Sequence, residues 1–202
     1  MTGEPVCRNT WRLRKGACAP QLQKRSWFLK QHEFEHTVRA AGAILGVTDV
    51  LVIGSQAIHA SVHVSIPEVS RSIETNISAL EDEDESKADL IDGSIGELSI
   101  FQETFGYYAQ GVTPKTAILP AGWRKRLVPF KTPGTQGVTA HCLELHDLWL
   151  SKAAAARPKD VEFCAALTQR DLVDGTTLRS RLKMIRKLDP RIRAFVLKMI
   201  PE

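Results

Sequence analysis

From Ser26 onward the apolar positions recur with helical spacing. Phe28, Leu29, Phe34, Val38, Ala41 and Leu45 share one broad stripe, and Gly46 ends it, so the pattern predicts an amphipathic helix. Leu51, Val52 and Ile53 then form a compact aliphatic run, the core of a strand predicted over 50–53. The run stops at Gly54-Ser55, after which Gln56, Ala57, Ile58 and His59 read as a helix opening. A strand that ends in a small-residue turn and feeds a helix presents free backbone N–H groups and the positive end of a helix dipole, which suits a phosphate. Gly54 would let that phosphate approach the backbone. The stretch from Arg71 to Ser78 alternates instead: Ile73, Thr75 and Ile77 share one face, while Glu74, Asn76 and Ser78 point the other way. A short strand therefore carries a polar row into the space that the Gly-Ser turn faces.

Glu81 to Glu85 is an acidic run that reads as a solvated loop. Between Ala88 and Ile100 the apolar residues are interrupted by Gly93 and Gly96, which predicts a broken helix or a turn. Tyr107 and Tyr108, beside Gly106, read as core aromatics rather than a base-stacking platform. Strand-like pieces follow at 116–119, 127–130 and 138–143, punctuated by Pro120-Ala121-Gly122-Trp123 and Thr132-Pro133-Gly134. Strands clustered in this way favour antiparallel or mixed pairing over a doubly wound parallel sheet. Helical patterns then cover 144–156, 158–169, 176–188 and 190–199, with Pro158 and Pro190 suited to first turns. The expected architecture is α/β of the α+β kind, a mixed sheet with flanking helices and a C-terminal helical layer. Its expected divisions are a basic, poorly ordered arm over 1–26, an α/β core over 27–143 and a helical region over 144–202.

With 202 residues, 43% of them hydrophobic, the chain is long enough for one good-sized core. Its net charge of +4 is unevenly spread. Arg8, Arg12, Arg14, Lys15, Lys24, Arg25 and Lys30 crowd the start, and Arg179, Arg181, Lys183, Arg186, Lys187, Arg191, Arg193 and Lys198 crowd the end. Basic flanks of this kind fit an RNA partner, and they equally fit solvated helix faces. Cys7, Cys18, Cys142 and Cys164 show no C-x-x-C spacing, and no apolar run approaches the ~20 residues of a membrane-spanning helix. These features predict a reduced, cytoplasmic protein without a membrane span.

The Gly54-Ser55 turn followed by an acid-x-acid-like pair, Glu74-Thr75-Asn76, resembles the polymerase-β-type nucleotidyltransferases. The segments 90–112, 116–130 and 143–167 extend the likeness to a bacterial group of nucleotidyltransferase-like proteins of unassigned function, related to abortive-infection nucleotidyltransferase toxins. The resemblance covers roughly Phe34 to Leu182. It implies a domain that binds a nucleoside triphosphate with Mg2+ (or Mn2+) and transfers a nucleotide to an acceptor, with RNA or tRNA favoured by the basic ends. Nucleotidyl transfer uses carboxylates to hold divalent cations against the phosphates, and a Lys or Arg to meet developing charge. On that pattern Gly54 and Ser55 would cradle phosphate, and Glu74 would be the first metal carboxylate. Asn76 stands where the second acid belongs, an amide that can ligate magnesium but brings no charge. Asp92 is the candidate replacement, with Asp89 and Glu103 as further ones. Asp147, Lys152, Arg157, Lys159 and Asp160 form a second cluster, in which Lys152 and Arg157 would reach the triphosphate. The departure at Asn76 keeps another function open: a catalytically degenerate member that binds nucleotide or RNA and acts through a protein partner, such as a cognate antitoxin or toxin. A remote third reading rests on His32-Glu33-Phe34-Glu35-His36, whose H-E-x-x-H spacing would place two histidines on one helix face for a zinc-dependent hydrolase.

Overall fold

The computed structural model describes residues 29–62, 66, 69, 72–80 and 86–202. The expected arm over 1–26, Phe28, His63, Arg71 and the acidic run Glu81–Glu85 lie outside those residues.

Helix α1, Gln31–Leu45, turns its apolar stripe fully inward: Phe34, Val38 and Ala41 are all 0% exposed. It starts where the Glu33 carboxylate accepts the Lys30 N–H at 2.7 Å, and it ends at Gly46, whose φ of 65° is the left-handed conformation that glycine adopts without strain. The chain then enters β1, Asp49–Val52, and leaves it for a 3-10 turn over Ser55–Ala60. Strands β2, Glu74–Ala79; β3, Tyr108–Gly111; β4, Val128–Phe130; and β5, Thr139–Cys142, complete a five-stranded sheet in the order β3-β2-β1-β5-β4. β1 lies at its centre because Val50, Leu51 and Val52 are apolar on both faces and wholly buried. It runs antiparallel to β2 and parallel to β5, so the sheet is mixed, as the clustering of short strands implied. β2 pairs in parallel with β3, and β4 closes the other edge antiparallel to β5.

Helices α2, Ser86–Ile95, and α3, Ile100–Phe105, connect β2 to β3, while α4, Leu145–Ala155; α5, Pro158–Gln169; α6, Gly175–Lys183; and α7, Pro190–Met199, form the C-terminal helical layer. The layer shares one core with the sheet: Leu148, Trp149 and Leu167 belong to the same buried cluster as Val50 and Phe34. The Trp149 indole N–H donates to the Cys164 carbonyl at 3.1 Å, which holds α4 against α5. None of the described helices is long and apolar enough to cross a membrane.

Several local expectations give way. The helix opening after Gly54 is a six-residue 3-10 turn, closed by i→i+3 bonds from the Ala57 N–H to the Gly54 carbonyl and from the Ser61 N–H to the Ile58 carbonyl. It therefore carries no sustained helix dipole. Thr116–Leu119 is not a strand: Pro114 opens a short 3-10 turn, and the residues after it line a cleft. The break expected between Ala88 and Ile100 does form, but at Gly96 alone: α2 continues through Gly93, which faces open space, to Ile95, and α3 resumes at Ile100. β3 forms where the aromatic pair suggested only core; Tyr107 is buried, but Tyr108 begins a strand.

Candidate functional site

The C-terminal end of β1 and the beginning of β2 meet at one end of the sheet because the two strands are antiparallel. Above that end lies a cavity of about 530 Å³, lined by Gly54, Ser55, Glu74, Asn76, Lys152 and Arg157 among others. Its floor is the outward row of β2. The pleat sends Thr75 and Ile77 into the core and leaves Glu74 and Asn76 half-buried on the cleft side. The parallel register sets Asn76 beside Gln110 of β3, so the two amides meet on one face.

Hydrogen bonds fix this floor. The Asn76 amide donates to Glu74 Oε1 at 2.5 Å and to Gln110 Oε1 at 3.0 Å. The Tyr108 hydroxyl donates to Glu74 Oε2 at 3.2 Å. The ionised Glu74 carboxylate only accepts hydrogen bonds, so the neighbouring Asn76 must turn its NH2 toward it and its carbonyl away. That carbonyl lies against Gly54. A Cβ on residue 54 would overlap Asn76 Oδ1 and come within 2.7 Å of its Cγ and 2.9 Å of its Cβ, so only glycine lets the turn pass this close to the polar row. Burial, reinforced by the negative charge of Glu74, pushes the Tyr108 hydroxyl up to about 12, so it stays a donor.

The opposite wall is cationic. Lys152, near the end of α4, and Arg157, just before α5, share one carboxylate: Asp160 lies 3.3 Å from Lys152 Nζ and 2.5 Å from Arg157 Nε. Asp160 is almost wholly buried, while Arg157 is more than half exposed to the cleft mouth. Burial works to raise the Asp160 carboxyl, but the hydrogen bond from Arg157 and the charge of Lys152 hold it below the usual carboxylate range. Burial lowers the Lys152 ammonium despite Asp160, with the charges of Arg157 and Lys159 acting in the same direction. Two cations on one anion leave a positive charge in the wall, set against Glu74 across the cleft. Ile53, Val69, Val112, Ile118 and Phe163 add an apolar portion to the lining. A few charged groups beside an apolar slot are the usual character of a small-molecule site.

Gly54, Ser55, Glu74, Asn76, Lys152 and Arg157 thus come together, and Lys159 and Asp160 join them. Asp92 does not. It is exposed on α2, and its Oδ1 accepts the Gly111 N–H at 2.7 Å at the end of β3. Asp89 and Glu103 are absent from the lining as well, and Asp147 is fully buried in ion pairs with Arg126 and Arg181. Gln110 and Tyr108 were missed, because their place beside Asn76 and Glu74 depends on pairing across 34 residues.

The floor does not suit the divalent metal that the resemblance implies. Among the described residues Glu74 is its one carboxylate, both of its oxygens already accept hydrogen bonds, and the Asn76 carbonyl is turned to Gly54. Among the described residues no group of three or more His, Cys, Asp or Glu side chains could hold a metal ion. The described residues offer the zinc reading no third ligand. His32 is exposed, Glu33 caps its own helix, and His36 Nδ1 lies 2.7 Å from the Tyr107 hydroxyl within an aromatic cluster with Phe101 and Phe105.

Residues 35–195 match the family described as "Nucleotidyltransferase of unknown function (DUF6036)". The chain belongs to that family. No curated protein and no solved structure matches it.

Proposed function

We propose that the cleft binds a nucleoside triphosphate, with the phosphates against Lys152, Arg157 and the Gly54-Ser55 turn and the nucleoside toward the apolar lining. The observation that carries this reading is the Lys152–Asp160–Arg157 wall facing Glu74 and Asn76 across one cavity. Within the family the chain acts as a nucleotide-binding member of reduced catalytic capacity, because the floor offers one carboxylate where transfer chemistry uses two or three. Calorimetric titration of the purified chain with each of the common nucleoside triphosphates tests it. Lys152→Ala should weaken binding by at least about tenfold, on the order of 1.4 kcal/mol, while leaving the fold intact. Equal affinity in wild type and variant would remove Lys152 from the site.

A second reading, transfer of a nucleotide to RNA, has its own support. Glu74 lies in the cleft, and basic residues cluster around the turn Trp123–Arg126. The Ala121 N–H donates to the Met184 carbonyl, which brings exposed Arg124 and Lys125 toward the end of α6 at Lys183 and the turn bearing Arg186 and Lys187. Arg124 also stacks over Trp123 at 4.8 Å, so the patch offers cations and a ring face together. Incubation with labelled nucleoside triphosphates, Mn2+ and total RNA should label the RNA if this reading holds; unlabelled RNA leaves nucleotide binding alone.

A further inference from the structure

A nucleotide's phosphates need their charge met, by divalent cations or by fixed cationic side chains. The two solutions call for different surroundings. Metal needs converging carboxylate oxygens with free lone pairs, whereas side-chain neutralisation needs cations held in place without full compensation.

This cleft has the second arrangement. On the floor Asn76 acts as a hydrogen-bond donor: its NH2 bridges Glu74 Oε1 at 2.5 Å and Gln110 Oε1 at 3.0 Å, occupying the space between the oxygens where a cation would sit. Tyr108 occupies the other Glu74 oxygen at 3.2 Å. The Asn76 oxygen, the one remaining ligand of that pair, is packed against Gly54. On the wall, Lys152 and Arg157 are positioned by a single shared carboxylate, Asp160, so the trio keeps one net positive charge aimed at the cavity. We infer that this chain takes its nucleotide without a divalent cation, the phosphate charge being met by Lys152 and Arg157, with Asn76 closing the place where a metal would enter. This rests on the nucleotide reading of the same cleft and deepens it.

The electrostatic consequence has a sign. A cation bound to the phosphates removes part of the charge that Lys152 and Arg157 attract, so free nucleotide should bind at least as tightly as its magnesium complex. Asn76→Asp should reverse the logic: two carboxylates would then face each other with no donor between them, and a cation would relieve their repulsion.

The test is calorimetric titration of the full chain with ATP and GTP in excess EDTA and again in Mg2+, together with a direct Mn2+ titration without nucleotide. Affinity in EDTA equal to or tighter than in Mg2+, and no Mn2+ uptake by wild type, is the expected result. Saturable Mn2+ uptake should appear in Asn76→Asp. Nucleotide binding that requires Mg2+ or Mn2+, or Mn2+ uptake by wild type that Glu74→Gln removes, would overturn the inference and leave the nucleotide reading standing. Absence of nucleotide binding in both buffers would overturn the two together. The wild-type titrations decide the matter even where Asn76→Asp does not fold.

Discussion

At the scale of single residues, the cleft depends on contacts shorter than the sequence suggests. Gly54 and Asn76 are 22 positions apart, by their numbering, yet a Cβ at 54 would lie within 2.9 Å of the Asn76 Cβ as well as overlapping its carbonyl oxygen. Gly54→Ala must therefore push Asn76 away from Glu74 and Gln110, an overpacking penalty of about 1–3 kcal/mol. Asn76→Ala removes the two nearest atoms of the obstacle, Oδ1 and Cγ, though not its Cβ, and costs its own hydrogen bonds, each worth about 1 kcal/mol net. The two substitutions should be coupled: the double variant should be more stable than the sum of single losses predicts, by about 1 kcal/mol or more in a denaturant cycle. Strict additivity would show that the turn does not press on the polar row.

At the scale of elements, the 3-10 turn over Ser55–Ala60 is held by its side chains. Gln56, nearly buried, donates to the Ser72 carbonyl at 2.7 Å and ties the turn to the approach to β2. His59 stacks on Phe34 with ring centroids 4.8 Å apart, and its Nε2 lies 3.1 Å from Gln56 Oε1. Burial lowers the His59 imidazole from 6.5 to about 4, outweighing the pull of Glu35. The unfolded chain then binds that proton more readily than the folded one, so the stabilisation is complete above pH 6.5 and lost as pH falls toward 4. Over that window the loss should approach roughly 3 kcal/mol, and His59→Phe should flatten this part of the stability profile. An unchanged slope in the variant would assign the acid sensitivity to other groups. The same turn marks how far the sequence could be read. Aliphatic Leu51–Ile53 announced a strand, and Pro158 and Pro190 announced the first turns of α5 and α7, because each signal is local. β3 was illegible because its four residues carry little pattern and are defined by pairing with β2. Along the chain, Asp92 looked as good a cleft acid as any; only the fold shows its carboxylate spent on the Gly111 N–H.

At the scale of the whole molecule, the helical layer is joined to itself and to the turn Trp123–Arg126 by a buried ion network at the start of α4. Asp147, fully buried, accepts from Arg126 Nε at 2.8 Å and from Arg181 Nη1 at 3.0 Å, and Arg181 also pairs with Glu144. Glu144 in turn caps α4 and takes a 2.6 Å contact from His146 Nδ1, while the other ring nitrogen of His146 accepts the Asp174 N–H that precedes α6. Burial works to raise the Glu144 carboxyl, but the hydrogen bonds from His146 and Arg181 win and hold it at about 2. Its stabilisation is present above its ordinary value of 4.5 and lost as pH falls from there toward 2, below the His59 window. Arg181→Leu leaves two buried or half-buried carboxylates short of a partner, so it should cost about 3 kcal/mol in urea denaturation at neutral pH and flatten the loss of stability between pH 4.5 and 2. The network lies at the first turn of α4 and Lys152 near its last, so the wall of the cleft keeps its geometry. Nucleotide affinity of the folded variant should therefore match wild type. A variant that loses affinity along with stability would show that the helical layer and the cleft move as one body, with the ion network setting the position of Lys152.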